Sequence, residues 1–176
     1  VCHRRFGKSA LTILLSLYEL TRNTQRQPRY AYVAPLYRQA KAIAWDMLSR
    51  YARVFEGTEI NQAELRADFP NGGQLRLYGA DNPDSLRGIY LDGVVFDEYA
   101  QMRPRVWHEV VRPALADRRG WAIFIGTPLG KNHFYDLYQE AQHTPDWHAA
   151  LYTVDDTNVI PQDELDSARR MMAPEQ

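Results

Sequence analysis

Gly7-Lys8-Ser9 stands at the head of an apolar run with helical spacing, and far downstream the run Leu91-Asp92-Gly93-Val94-Val95-Phe96 carries Asp97-Glu98 at its end. Together these two features leave few folds open. Backbone N–H groups at a helix start, a lysine ammonium and a hydroxyl suit phosphate oxygens and a bound Mg²⁺. A short buried strand that ends in two acids presents them at the carboxyl edge of a sheet, where ligands gather in open α/β folds. A lone Gly-Lys-Ser also occurs as a solvated helix start, and a lone Asp-Glu as a strand end facing solvent; the pairing is what is specific. Cys2 stands where the pattern G-x-x-x-x-G-K-[ST] has its first glycine, a position at which glycine permits backbone geometry that cysteine tolerates less readily.

The rest of the chain alternates. Helical spacing spans Lys8 to Leu20, a strand Arg29 to Ala34 stops at Pro35, and helical spacing returns from Arg38 to Phe55. Ala63 to Phe69 and Gln74 to Tyr78 flank Pro70-Asn71-Gly72-Gly73, the turn chemistry of a β-hairpin. After the strand Leu91 to Phe96 come a helix Pro104 to Leu115, a strand Trp121 to Ile125 and a helix Asn132 to Gln142. A strand-like stretch Trp147 to Val154 and a helix Gln162 to Met172 complete the pattern. This order predicts an α/β fold of the P-loop NTPase kind: a mainly parallel sheet flanked by helices, with a β-hairpin insertion at its edge. One domain over 1–176 is expected, truncated at its N-terminus, because a phosphate loop is normally fed by a buried strand and none precedes Cys2.

Composition narrows the classes further. Apolar residues at 45% and charged residues at 24% exclude a disordered chain, and no run approaches the ~18 apolar residues of a membrane span. The single cysteine excludes an internal disulfide framework. Twenty-one basic against 22 acidic residues give a net charge of -1, so contact with nucleic acid has to be local.

In this chemistry Gly7, Lys8 and Ser9 bind phosphates, with Ser9 and Asp97 at Mg²⁺, and Glu98 orients and deprotonates the attacking water. Thr127, in Gly126-Thr127-Pro128, is positioned to sense the γ-phosphate, although a plain turn suits those residues as well. Arg4, Arg5 and Arg87 are candidates for stabilising transition-state charge, against the alternative of surface arginines. Arg5 is also a phosphate-binding candidate. Arg87 has a neighbouring acid, Asp84, with which it can simply pair. The five histidines lack metal-ligand spacing, Asp155-Asp156 suits a solvated turn better than a nuclease pair, and the four tryptophans suit packing.

Five segments, in this order, resemble the ATPase domain of tailed-phage and prophage terminase large subunits. They are Cys2-His3-Arg4-Arg5-Phe6-Gly7-Lys8-Ser9, Val33-Ala34-Pro35-Leu36-Tyr37-Arg38-Gln39-Ala40, Ser85-Leu86-Arg87-Gly88, Val94-Val95-Phe96-Asp97-Glu98 and Gly126-Thr127-Pro128. In that family the arginine-bearing loop often departs from the first glycine. The resemblance implies an additional-strand, catalytic-glutamate ATPase that uses ATP and Mg²⁺ to drive double-stranded DNA into a procapsid. It implies a homo-oligomeric ring with portal protein and small terminase subunit as partners, at work in the host bacterial cytoplasm while docked on the portal. It further implies a coupling role for Gly126-Thr127-Pro128, a cis role for a loop arginine and a role for Arg87 on a neighbouring subunit. The family's nuclease domain is not expected within this chain. A DEAD-like helicase and a non-hydrolysing P-loop scaffold remain the alternatives.

Overall fold

A computed structural model describes residues 1–3, 6–157 and 159–171. Six strands form one sheet in the order β2-β3-β4-β1-β5-β6. Its centre is parallel: β1 (Arg29–Ala34) lies between β4 (Gln74–Gly79) and β5 (Gly93–Asp97), and β6 (Trp121–Ile125) flanks β5. β2 (Glu59–Asn61) and β3 (Arg66–Asp68) are antiparallel additions on the β4 side.

Helices cover both faces, as the two-sided apolar strands require. Tyr30, Tyr32, Ala34, Leu75, Leu77 and Val95 pack against α1 (Lys8–Arg22) and a long helical run on one face. That run consists of α2 (Tyr37–Ala40), a π-helical stretch Lys41–Trp45 and α3 (Asp46–Ala52). Ala31, Val33, Val94 and Phe96 face the opposite layer, whose aromatic centre joins Phe96, Phe124, Trp107 and Tyr99. Strand alternation therefore places Asp97 on the same face as Val95, toward α1.

The structure departs from the sequence expectations in several places, among them the expected helix Arg38 to Phe55, which turns π-helical over Lys41–Trp45, and the expected strand Ala63 to Phe69, of which Arg66–Asp68 is strand. The strand β4 of the hairpin pairs parallel with β1 as well as antiparallel with β3, so it is part of the central sheet and only β2 and β3 are the edge insertion. β2 itself was not anticipated; three residues are too few to show a period. The stretch Pro104 to Leu115 is not one α-helix: Val106–Val111 is π-helical and only Arg112–Ala116 (α4) is α-helical. Pro113, which has no N–H to offer the preceding turn, falls at this junction.

Trp147 to Val154 is not a strand either. Only Tyr152 bridges, in parallel, to Cys2. Thr153 then donates both its N–H and its hydroxyl to Asp156 Oδ2, at 2.8 and 2.6 Å, which turns the chain into α6 (Val154–Thr157). Asp155 and Asp156 are accordingly exposed residues of a short helix. Residues Val1–His3 enter between β6 and this stretch: Cys2 N–H donates to Gly126 O, Tyr152 N–H to Val1 O and His3 N–H to Tyr152 O. α5 (His133–Ala141) and α7 (Gln162–Met171) complete the elements, and no helix among the described residues is long and apolar enough to cross a membrane.

Candidate active site

The carboxyl ends of β1, β5 and β6 converge with the start of α1, and most of the residues singled out from sequence meet there. Gly7 adopts the left-handed conformation at φ 79° and is the N-cap of α1 without a side-chain cap. A residue with a Cβ is strained in that conformation. The first turn of α1 holds no acid, so the unpaired N–H groups of the helix start face outward uncompensated, the arrangement that favours an anion.

Lys8 folds back over its own loop. Its Nζ donates to Cys2 O at 3.1 Å and to His3 O at 2.8 Å. An ammonium has three protons, so these carbonyls leave one donor free and hold the charge over the loop. Ser9 Oγ donates to Asp97 Oδ2 at 2.8 Å, across 88 positions of sequence. Asp97 is 3% exposed, and the hydroxyl of Tyr32 donates to the same Oδ2. Burial, and after it the adjoining Asp97 carboxylate, raises the phenol pKa of Tyr32 above its ordinary value, so Tyr32 is a fixed neutral donor.

Glu98 leaves the strand in the left-handed region at φ 53°, a conformation that costs a non-glycine residue on the order of 1–3 kcal/mol. Its Oε2 accepts a hydrogen bond from Thr127 N–H at 3.3 Å. The end of β6 comes this close because residue 126 is glycine: a Cβ there would lie 3.3 Å from Glu98 Cα and 3.4 Å from Tyr99 N. Thr127 Oγ1 is buried with no hydrogen-bond partner among the described residues. An orphaned hydroxyl beside a carboxylate is the kind of atom that a phosphate oxygen or an attacking water satisfies.

Arg87 is not brought to this cluster; its Nε pairs with Asp84 Oδ1 at 2.7 Å on an exposed turn, with 59% and 78% of the two side chains accessible. Arg4 and Arg5 lie outside the described residues. No group of three or more His, Cys, Asp or Glu is arranged to hold a metal among the described residues. A divalent ion at Ser9 and Asp97 would therefore depend on substrate phosphates and water for most of its ligands, the habit of Mg²⁺.

Three residues of this region were missed in sequence. Tyr32 is the inward member of an alternating strand whose register sets it opposite Val95, two residues before Asp97; nothing in the sequence marked that register. Asn132 and His133 clamp α5 to the segment that follows Glu98. Asn132 Nδ2 donates to Ala100 O at 3.2 Å and His133 Nε2 to Tyr99 O at 3.0 Å, while Asn132 Oδ1 caps α5 by accepting from Phe134 N–H. The asparagine before a helical run signalled the cap, but nothing in the spacing signalled the clamp.

Residues 4–166 match the family described as terminase large subunit, T4likevirus-type, N-terminal. The terminase large subunit of Thermus virus P23-45 is 34% identical over 154 residues, covering 77% of this chain and 31% of that protein. That of Escherichia phage T5 is 27% identical over 178 residues, covering 97% and 39%. This chain thus spans about a third of the length of these relatives. The large terminase ATPase domain of Thermus phage P74-26 superposes with a TM-score of 0.79 at 27% identity, covering 98% of this chain and 81% of that one. The large terminase of a thermophilic bacteriophage, solved in complex with ADP, shares the fold at a TM-score of 0.71 and 18% identity, covering 98% and 44%.

Proposed function

We infer that this chain, which belongs to the terminase large-subunit N-terminal family, is a P-loop ATPase domain that hydrolyses ATP to power movement of double-stranded DNA into a procapsid. The observation that carries the reading is the hydrogen bond from Ser9 Oγ to Asp97 Oδ2. It joins the phosphate-loop hydroxyl to the strand-end acid, a pairing with no structural necessity at a solvated helix start. The large terminase of the thermophilic bacteriophage has been solved with ADP and with ATP-γ-S, which supports adenosine nucleotide as the substrate here.

In this reading Gly7 and the first N–H groups of α1 receive phosphate oxygens, and Lys8 exchanges the carbonyls of Cys2 and His3 for the β/γ-phosphates. Ser9 and Asp97 would hold Mg²⁺, which supplies charge neutralisation on the transferring phosphoryl group. Tyr32 keeps Asp97 oriented when Ser9 turns away from it. Glu98 takes a proton from the attacking water once its carboxylate leaves Thr127 N–H. Thr127 then has both its N–H and its orphaned Oγ1 available toward the γ-phosphate. The clamp from Asn132 and His133 to Tyr99 and Ala100 carries any shift of Glu98 into α5. Arg4 or Arg5 supplies positive charge in cis. Arg87, exposed on its turn, acts on a neighbouring subunit of a homo-oligomeric ring. The ladder made by Val1–His3 beside Gly126 supports a feeding strand next to β6 within a single domain. Portal protein and small terminase subunit are the proposed partners, at a portal-docked position in the host cytoplasm.

Packaging of linear double-stranded DNA into purified procapsids by the full-length chain tests this function. The wild type is expected to protect DNA from nuclease in an ATP-dependent way and Lys8→Ala to protect none. Protection by Lys8→Ala at the wild-type level would refute the motor assignment. Mixing Arg87→Ala with Lys8→Ala subunits tests the trans role: restored turnover is expected, and no rescue in co-assembled rings would return Arg87 to its surface pair with Asp84.

A further inference from the structure

The rings of His3, Phe6 and Tyr152 form a short row beside the phosphate loop. Phe6 stacks on Tyr152 with centroids 5.5 Å apart and planes at 27°, and His3 lies against Phe6 at 5.4 Å and 54°. Tyr152 is the open end of this row: it is 44% exposed, whereas His3 and Phe6 are half-buried. Its backbone is fixed on both sides, its N–H donating to Val1 O at 2.9 Å and its carbonyl accepting from His3 N–H at 3.3 Å. Phe6 in turn is bonded to Gly7, the N-cap of α1. One stacked ring therefore separates Tyr152 from the loop that receives phosphates in the reading above.

The lateral order of the sheet gives Tyr152 a direction as well as a place. β5 pairs with β6, Cys2 N–H donates to Gly126 O just beyond β6, and Cys2 bridges to Tyr152 on its other side. Tyr152 thus stands across the loop from Glu98 and Thr127. A nucleotide whose phosphates rest at the start of α1 with the γ-phosphate toward Glu98 and Thr127 extends its sugar and base the opposite way, toward Tyr152. The other exposed rings are placed differently. Trp147 also ends a stack, on Phe124 at 6.0 Å and 14°, but Phe124 belongs to the layer on the sheet face opposite α1. Tyr18 and Tyr135 carry Arg22 and Lys131 over their rings.

We propose that Tyr152 is the platform on which the base of the bound nucleotide stacks, with Phe6 as the ring that backs it. The inference rests on the ATPase reading above and adds the residue that holds the base. A ring packed on one face and fixed at its backbone loses little freedom when a base covers its other face, so the contact is preorganised. Stacking is tolerant of base identity because every base has a π-face; Tyr152 accordingly contributes affinity for the nucleoside end of the ligand and no choice among bases.

The test is calorimetry on the full-length chain with Mg²⁺, comparing ATP with inorganic tripolyphosphate, which has the phosphates and no base. Tyr152→Ala is expected to weaken ATP roughly tenfold, the size of one base–aromatic stack, and to leave tripolyphosphate binding unchanged, which also reports that its phosphate loop is intact. Tyr152→Phe keeps the ring and should bind ATP as the wild type does, and so should Trp147→Ala. Equal weakening of ATP and tripolyphosphate by Tyr152→Ala would make Tyr152 a prop for the loop through Phe6 and overturn the platform. Wild-type ATP affinity in Tyr152→Ala, or a loss in Trp147→Ala in its place, would overturn it too, while leaving the ATPase reading standing. Failure of the wild type to bind either ligand would overturn both.

Discussion

Asp92 and Asp97 lie five positions apart around the same strand, and both are almost wholly buried, at 5% and 3% exposure. Their surroundings differ in kind. Asp92, at the amino end of the sheet, accepts the backbone N–H of Arg29 at 2.8 Å and faces Arg118 at 3.9 Å. Arg118 and Arg29 in turn lie over the ring of Tyr90, at 4.1 and 5.3 Å from its centroid, and Tyr90 donates its hydroxyl to Gln27 O. Those partners are a strand backbone and a guanidinium that is itself fixed by donating to Gln25 Oε1 at 2.8 Å and to Arg26 O at 3.1 Å. Asp97 is held by two hydroxyls, of which that of Ser9, in the first turn of α1, can turn about its own Cα–Cβ bond. Around it the backbone is strained at Glu98, and Thr127 Oγ1, like Asp92 Oδ1 at the other end, has no hydrogen-bond partner among the described residues. In the reading proposed above Asp92 is structural and Asp97 holds a metal, because the hydroxyls on Asp97 can exchange it for another partner and the strand backbone on Asp92 cannot.

Exchanging each acid for its amide breaks or sharpens that contrast. With Asp97→Asn, as with Lys8→Ala, ATP turnover by the full-length chain is expected to fall by more than ~10³, because charge compensation for phosphate or metal is lost; near-wild-type steady-state rates in either variant would undo the site. Tyr32→Phe keeps the ring and removes one of the two hydroxyls on Asp97. Calorimetry should show roughly tenfold weaker binding of ATP with Mg²⁺, the loss of about one charge-assisted hydrogen bond, and unchanged binding without metal. An equal loss in both conditions would make Tyr32 a packing residue only. Asp92→Asn should leave kcat alone and destabilise the fold by about 1–3 kcal/mol in chemical denaturation, with the reverse outcome exchanging the roles of the two ends. Smallest of all, Arg87→Ala should change stability by less than about 0.5 kcal/mol, since its pair with Asp84 is exposed.

The same contrast explains what was legible in the sequence. Gly7, Lys8, Ser9, Asp97 and Glu98 were visible because each carries its chemistry in its type and sits at an element boundary that apolar spacing marks. The central strands β1, β5 and β6 were visible for the same reason: short apolar runs bounded by Pro35, Asp97-Glu98 and Gly126. Tyr32 was not, because an aromatic inside an apolar strand has the same spacing whether its hydroxyl is idle or bonded to Asp97. The Asp92 buckle was equally hidden, since its partners come from Arg29 and Arg118, and only the sheet register brings them together. The false strand over Trp147 to Val154 shows the converse: alternation without a neighbouring strand yields one bridge and then a cap at Asp156.

Glu98→Gln tests the account at its centre, because the carboxylate is assigned to water activation and not to nucleotide or metal. Nucleotide affinity by calorimetry and single-turnover ATP hydrolysis are measured on the same full-length preparation. The account predicts ATP affinity within about threefold of wild type and hydrolysis slower by ~10²–10⁴. Affinity and hydrolysis falling together, or hydrolysis at the wild-type rate, would contradict it.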